Sequence, residues 1–199
     1  MNIAKLVNLK LPLILASKSP RRRRLLEQLG LDFEVIPSSV DEDIGDHLPP
    51  EHYAKKLALA KAEEIAGSID YDAIVLGSDT IVVLDDRIIN KPGDEEDAVR
   101  MLKTLSGRTH TVYSGIALVD TSSDRKTAEV QTTKVTFREL ADDEIRAYVV
   151  TGSPMDKAGA YGIQDDFGAV FVSNIEGCYY NIVGLPLELL YTTMRQFLK

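Results

Sequence analysis

Apolar residues along the chain recur in two rhythms, and the switches between them mark out alternating strands and helices. Leu11–Ala16 is a short apolar run followed by Ser17-Lys18-Ser19-Pro20, the pattern of a buried strand passing through a loop into a helix start. Ser19 is placed to cap that helix and Pro20 to occupy its first position. Leu25, Leu26 and Leu29 share its apolar side, and Gly30 supplies a left-handed stop. Phe33–Ile36 predicts a second strand and Val40–Asp46 an acidic loop. Pro50–Ala66 predicts a long helix with Ala54, Leu57, Ala58 and Ile65 on one face and Gly67 at its end.

Further along, Ala73–Gly77 and Ile81–Leu84 read as two strand segments meeting at a polar kink, Ser78-Asp79-Thr80. Asp85-Asp86 turns the chain into Arg87–Asn90, which closes a hairpin, and Lys91-Pro92-Gly93 breaks it. Asp94–Leu105 predicts a helix with Ala98, Met101, Leu102 and Leu105 inward, ended by Gly107. Thr109–Val119 and Thr127–Phe137 are rich in β-branched residues and form an expected antiparallel pair. Asp142–Val150 predicts a helix stopped by Gly152, Lys157–Gly168 a glycine-punctuated loop, Ala169–Ile175 a strand and Pro186–Leu198 a terminal helix. Helices alternate with strands at first and strand pairs dominate later. This order predicts an α/β fold, a mixed twisted sheet with helices on its faces, in a single domain spanning residues 1–199. Ligands are then expected at the strand ends.

Composition narrows the classes. A chain of 199 residues with 44% hydrophobic and 27% charged side chains is neither disordered nor fibrous. Twenty-three basic against thirty-one acidic residues give a net charge of −8, which opposes phosphate-backbone binding, so no stable nucleic-acid complex is expected. Leu11–Ala16 is too short for a signal-peptide core, and no apolar stretch approaches the ~18 residues of a spanning helix, so the expectation is a soluble, cytoplasmic protein without a membrane partner. The single cysteine, Cys178, forbids an internal disulfide and is expected to be a small buried side chain. His47, His52 and His110 are too widely spaced for a zinc pattern, and no phosphate-binding Gly-x-x-x-x-Gly-Lys-Ser/Thr loop is present.

The polar residues that remain point to anions. Ser17, Lys18, Ser19 and Arg21–Arg24 surround a helix start, where unpaired N–H groups favour negative charge. Four arginines there oppose the helix dipole by ~0.3–1 kcal/mol each, so either they form a solvated face or some of them meet an anionic partner. Lys61 lies four residues after Leu57 and four before Ile65, on the row that faces the core, and must snorkel or find an anion. Asp79 ends a buried apolar run, which holds its carboxylate at a sheet edge unless Asp79-Thr80 merely forms a turn. Asp41-Glu42-Asp43 alone reads as solvated surface. Taken together, two carboxylate sources (Glu42, Asp79), two lysines (Lys61, Lys91) and an arginine-rich helix start are what triphosphate chemistry requires. Carboxylates hold a divalent ion and activate water, and cations neutralise phosphate charge.

Ser17-x-Ser19-Pro20-Arg21-Arg22, Val40-Asp41-Glu42, Ala60-Lys61-Ala62, Ser78-Asp79-Thr80, Lys91-Pro92, Leu105-Ser106-Gly107-Arg108 and the run from Asp156 to Gln164 occur in this order over nearly the whole chain. In this combination the sequence resembles the Maf family of nucleoside triphosphate pyrophosphatases, and Tyr161-Gly162-Ile163-Gln164 is similar to the branch acting on dTTP and UTP. The resemblance implies a fold related to the inosine triphosphate pyrophosphatases. It also implies a divalent metal, Mg²⁺ or Mn²⁺, and hydrolysis to monophosphate and pyrophosphate, with modified pyrimidine triphosphates as a further option. By the same resemblance Asp79 is the proton acceptor, Glu42 and Asp79 hold the metal, and Lys61 and Lys91 complete the catalytic set. Ser17 and Arg22 bind phosphate, while Arg21, Thr80 and Gln164 govern substrate choice. The neutral amide of Gln164 suits a pyrimidine edge, since it both donates and accepts. Asn90 and Asp165-Asp166 stand where glycine is usual, and the latter pair bears on the rim of the base pocket. Two alternatives remain at this point: a nucleotide- or nucleic-acid-binding regulator, since the family is linked to septum formation and cell-division arrest, and a phosphatase releasing orthophosphate. A homodimer is left open.

Overall fold

A computed structural model describes residues 3–42, 48–123, 125–164 and 166–199. Asp43, Asp46, His47 and Asp165 lie outside the described residues. In chain order the elements are α1 (Ile3–Leu6), β1 (Leu13–Ala16), α2 (Pro20–Gln28), β2 (Glu34–Val35), α3 (Pro50–Ala66), β3 (Ile74–Leu84), β4 (Arg87–Ile89), α4 (Glu95–Leu105), β5 (Thr109–Asp120) and β6 (Arg125–Phe137). They continue with α5 (Asp142–Val150), two short 3₁₀ turns (Ser153–Asp156 and Ala158–Ala160), α6 (Asp166–Phe171), β7 (Val172–Glu176), α7 (Tyr179–Val183) and α8 (Leu187–Phe197). The strands form a mixed seven-stranded sheet ordered β2-β1-β3-β5-β6-β7, with β4 paired to β3. The α/β expectation holds. No helix among the described residues is long and apolar enough to cross a membrane.

The chain divides into two compact units, passing from one to the other within β3, β5 and β6 and after Val183. The first contains Met1–Asp79, Ser114–Gln131 and Gly184–Lys199. Here β1 runs parallel to β2 and β3, pairing Leu13 with Ile74 and Ala16 with Gly77. All four β1 residues are buried, as the continuous apolar run of a covered parallel strand requires. The core joins Ile14, Ala16, Val75, Ala117 and Val119 of the sheet to Ala58, Ala62 and Ile65 of α3. Full burial of an isoleucine such as Ile14 contributes roughly 1.5–3 kcal/mol. Helix α3 lies very close to the sheet, and two glycines permit it. A Cβ at Gly77 would sit 2.0 Å from the Ala58 carbonyl oxygen, and one at Gly115 2.2 Å from that of Ala54.

The second unit contains Thr80–Tyr113 and Thr132–Val183. Asp85 and Asp86, both at positive φ (50° and 61°), turn β3 back into β4 in the manner of a type I′ hairpin. Asp94 caps α4 by accepting from Asp97 N at 2.7 Å. The interior is aromatic: His110, Phe137 and Tyr161 pack edge-to-face with centroids 4.8–5.3 Å apart, and Phe171 meets Tyr148 at 5.3 Å.

Several expectations need correction. Ala73–Gly77 and Ile81–Leu84 are not two segments, because β3 runs unbroken through Ser78-Asp79-Thr80. Its polar side chains have partners, so they do not break the strand: Ser78 Oγ donates to Gly184 O at 3.3 Å and Asp79 accepts from Lys61. Asp79 therefore sits in mid-strand on an interior strand of the sheet, not at a strand end or sheet edge. The loop expected to Gly168 and the strand expected from Ala169 give way to helix α6, with β7 beginning at Val172. The absent side chain of Gly168 lets that helix lie against Gly162, whose carbonyl oxygen would be 2.1 Å from a Cβ there. In α4 Val99 is buried and Met101 only half-buried. Cys178 is half-buried rather than buried, in the turn before α7, where its backbone N–H donates to Thr133 Oγ1 at 3.0 Å.

Candidate active site

The packing that Gly77 permits also sets the chemistry. Side chains on a strand alternate, so Gly77 and Asp79 share the face of β3 that meets α3. Lys61 stands next to Ala62, one of the α3 residues that a Cβ at Gly77 would strike. The lysine does not snorkel. Its Nζ donates to Asp79 Oδ1 at 2.6 Å and to Glu42 Oε1 at 2.9 Å. Lys61 and Asp79 are 6% and 4% exposed, whereas the Glu42 side chain is 49% exposed. One ammonium thus joins a carboxylate fixed on a buried strand to a carboxylate open to solvent.

The start of α2 forms as its sequence predicts. Ser19 is the cap and accepts from Arg22 N at 3.5 Å. Ser17 Oγ, just beyond β1, accepts from Ser19 N and from Arg22 Nη1, both at 3.2 Å. Arg22 also donates through Nε to Gly184 O at 2.9 Å. Burial lowers the Arg22 pKa, and the negative charges of Asp79 and Glu42 act against that shift, so this guanidinium lies in the field of both carboxylates. Arg23 turns outward to Glu27 at 2.9 Å. Two of the four arginines thus have anionic company, as the dipole argument anticipates.

Two residues of this region escape a reading of the sequence. Glu64 accepts hydrogen bonds from the hydroxyls of Ser38 and Ser39 and from Ser39 N at 2.9 Å. Those serines hold its carboxyl far below the usual range, at about 2. Tyr53 donates its hydroxyl to the backbone oxygen of Glu42 at 2.7 Å. Their one advance signal is helical spacing from Lys61, eight residues back and three forward.

The remaining expected residues lie as follows. Arg21 is half-buried on α2. Thr80 is half-buried on β3, on the opposite face from Asp79 by alternation, and begins the second unit. Lys91, after β4, and Gln164, after the second 3₁₀ turn, are exposed in that unit. The structure brings Ser17, Arg22, Glu42, Lys61 and Asp79 together within the first unit. Its donor set fits a divalent cation of the magnesium type. Two carboxylates converge on one positively charged atom at 2.6 and 2.9 Å, and oxygen ligands are what such a hard ion takes. No group of three or more His, Cys, Asp or Glu able to hold a metal is found among the described residues. Mg²⁺ is commonly held by one or two carboxylates, with waters and substrate phosphates completing its shell.

Known proteins resemble this chain over most of its length. The family described as Maf-like protein matches residues 12–197. A dTTP/UTP pyrophosphatase of Moorella thermoacetica is 54% identical over 175 residues, 88% of this chain and 89% of the relative. Proteins of the same name from Acetivibrio thermocellus and Salinibacter ruber are 50% and 48% identical, covering 93% and 96% of this chain and 94% and 93% of their own lengths.

Proposed function

The chain belongs to the Maf-like protein family, and from that premise we propose that it hydrolyses dTTP and UTP, with modified pyrimidine triphosphates as further substrates, to the nucleoside monophosphate and pyrophosphate. The observation that carries this reading is the Lys61 ammonium joining Asp79 and Glu42 in the field of Arg22. A binder of polyanions gains nothing from two carboxylates so placed, whereas a hydrolase of phosphoanhydrides uses them.

In this reading Asp79 accepts a proton from the attacking water. The new P–O bond forms at the α- or β-phosphorus as its bond to the bridging oxygen breaks, and the electron pair leaves with pyrophosphate when the α-phosphorus is attacked or with the nucleoside monophosphate when the β-phosphorus is. The strand backbone fixes Asp79 and Lys61 orients it, so no side-chain search precedes the proton transfer. A divalent cation, Mg²⁺ or Mn²⁺, held by Glu42 and Asp79, supplies charge neutralisation at the phosphate oxygens. Ser17 and Arg22, at the start of α2, take phosphate oxygens, with Lys91 as a further cation. Arg21, Thr80 and Gln164 select the base. The same reading places the protein in the cytoplasm, where free nucleoside triphosphates are abundant.

A panel of nucleoside triphosphates assayed with separate detection of orthophosphate and pyrophosphate, with and without chelator, tests the proposal. Pyrophosphate from dTTP and UTP, lost on chelation, is the expected result. Orthophosphate and diphosphate as sole products, or full activity after exhaustive chelation, overturns it.

A further inference from the structure

Asp79 and Glu42 reach Lys61 by different means. Asp79 is carried by β3, an interior strand of the sheet. Glu42 stands in a stretch after β2 with neither helix nor strand, and half of its side chain faces water. A single exposed ion-pair contact is a weak tether for such a segment, because solvent screening and side-chain entropy offset most of its attraction. Something else must hold the backbone of Glu42 within reach of α3.

Helix α3 carries that hold along one row. Tyr53, Leu57, Lys61 and Glu64 step by four, four and three residues, which aligns them on one side of the helix. Tyr53 binds the backbone oxygen of Glu42 at 2.7 Å, Lys61 its side chain at 2.9 Å, and Glu64 the chain just before it. The grip of Glu64 is extensive: it takes both serine hydroxyls and the Ser39 N–H, while Ser38 Oγ also accepts from Val40 N at 3.2 Å. Neither Tyr53 nor Glu64 touches Asp79 through any of these bonds, so neither is needed to hold the buried pair itself.

We propose that Tyr53 and Glu64 are positioning residues, clasping the segment from Ser38 to Glu42 onto α3 so that the Glu42 carboxylate is set beside Lys61 and Asp79 for the divalent cation. The kinetic consequence rests on the pyrophosphatase reading; the clasp and its effect on metal affinity do not. Glu64→Gln removes the charge that gathers the serines, and Tyr53→Phe removes only a hydroxyl. Ser38→Ala tests the same contact from the other side.

The test uses the full chain and three readouts. Amide exchange at Ser39, whose N–H donates to the Glu64 carboxylate, is expected to accelerate at least about tenfold in Glu64→Gln, and exchange at Val40, whose N–H donates to Ser38 Oγ, in Ser38→Ala. Mn²⁺ affinity, titrated by electron paramagnetic resonance without nucleotide, is expected to weaken by about 10–100-fold, the scale on which residues behind a metal ligand act. In dTTP hydrolysis kcat falls and the half-saturating Mn²⁺ concentration rises, while KM for dTTP at saturating metal stays within about threefold. Combining Ser38→Ala with Glu64→Gln adds little to either alone. Tyr53→Phe moves the same quantities less. A purely structural role would lower the melting temperature of every variant and leave Mn²⁺ affinity at the wild-type value. That outcome, or absence of Mn²⁺ binding in both proteins, overturns the proposal. If the wild-type chain hydrolyses no triphosphate, the pyrophosphatase reading fails, and the exchange and Mn²⁺ titrations still decide the clasp.

Discussion

Two buried centres, one in each compact unit, place ionisable side chains away from water in opposite ways. In the first, Lys61 and Asp79 are almost fully withdrawn from water and meet each other at 2.6 Å, with Glu42 completing the bridge. In the second, His110 is 1% exposed and faces Tyr161 and Phe137. Its Nε2 lies 2.8 Å from the Tyr161 hydroxyl, its Nδ1 has no hydrogen-bond partner, and burial pushes its pKa down to about 4. Burial with a counter-charge keeps a charge available for chemistry; burial among aromatic rings favours the neutral form and leaves a packing residue. The difference separates the candidate active site from a packed core.

The sharpest way to break this contrast is at the ion pair. Asp79→Asn keeps shape and removes the carboxylate proposed as proton acceptor, so turnover on dTTP should fall about 10²–10⁴-fold with the circular dichroism unchanged. Lys61→Met leaves Asp79 buried without its cation, and loss of one partner of a buried pair costs about 3–5 kcal/mol. Denaturant midpoints of the two single variants and the double variant check this. The double variant should be more stable than the sum of the singles implies, and strict additivity would mean that the pair is not the stabilising unit.

The aromatic cluster gives the second test, through acid. His110 titrates near 6.5 when unfolded and near 4 when folded, so between these values the unfolded chain binds more protons and stability falls as the pH falls. The contribution is complete above about pH 6.5 and gone below about pH 4, on the order of 3 kcal/mol in all. Urea midpoints at pH 7 and pH 4.5 should differ less in His110→Gln than in the wild type. An equal acid loss in both would show that other groups carry the effect.

The smallest effect concerns base choice. Gln164→Glu should lower the efficiency ratio of dTTP over purine triphosphates by roughly 5- to 150-fold, the equivalent of ~1–3 kcal/mol for an unsatisfied partner, with metal dependence unchanged. Steady-state rates on four triphosphates measure that ratio. A uniform loss across all of them would assign Gln164 to phosphate binding or loop structure instead of base selection.

Helix α3 was legible to the residue, Pro50–Ala66, because seventeen residues of helical periodicity end in a glycine. The cap and first proline of α2 were equally legible, being encoded in two adjacent residues, Ser19 and Pro20. Asp79, expected at a strand end, lies in mid-strand. Ser78-Asp79-Thr80 has the local chemistry of a turn, and it is Lys61, eighteen residues before Asp79, and Gly184, over a hundred after Ser78, that give Asp79 and Ser78 partners inside a strand. Glu64 and Tyr53 passed as ordinary helix residues, since their partners are hydroxyls and carbonyls that any sequence offers in quantity.

The sequence by itself therefore determined the α/β class, most element boundaries and the capped arginine-rich helix start. These follow from local periodicity and side-chain chemistry, which act over a few residues. Tertiary structure alone decided that Lys61 meets its anions instead of reaching for solvent, that Asp79 lies in mid-strand, and that Glu42 is clasped to α3. The physical reason is the close approach of α3 to the sheet at Gly77, where a single added carbon would meet a backbone oxygen at 2.0 Å, a contact between residues nineteen positions apart that no local pattern records.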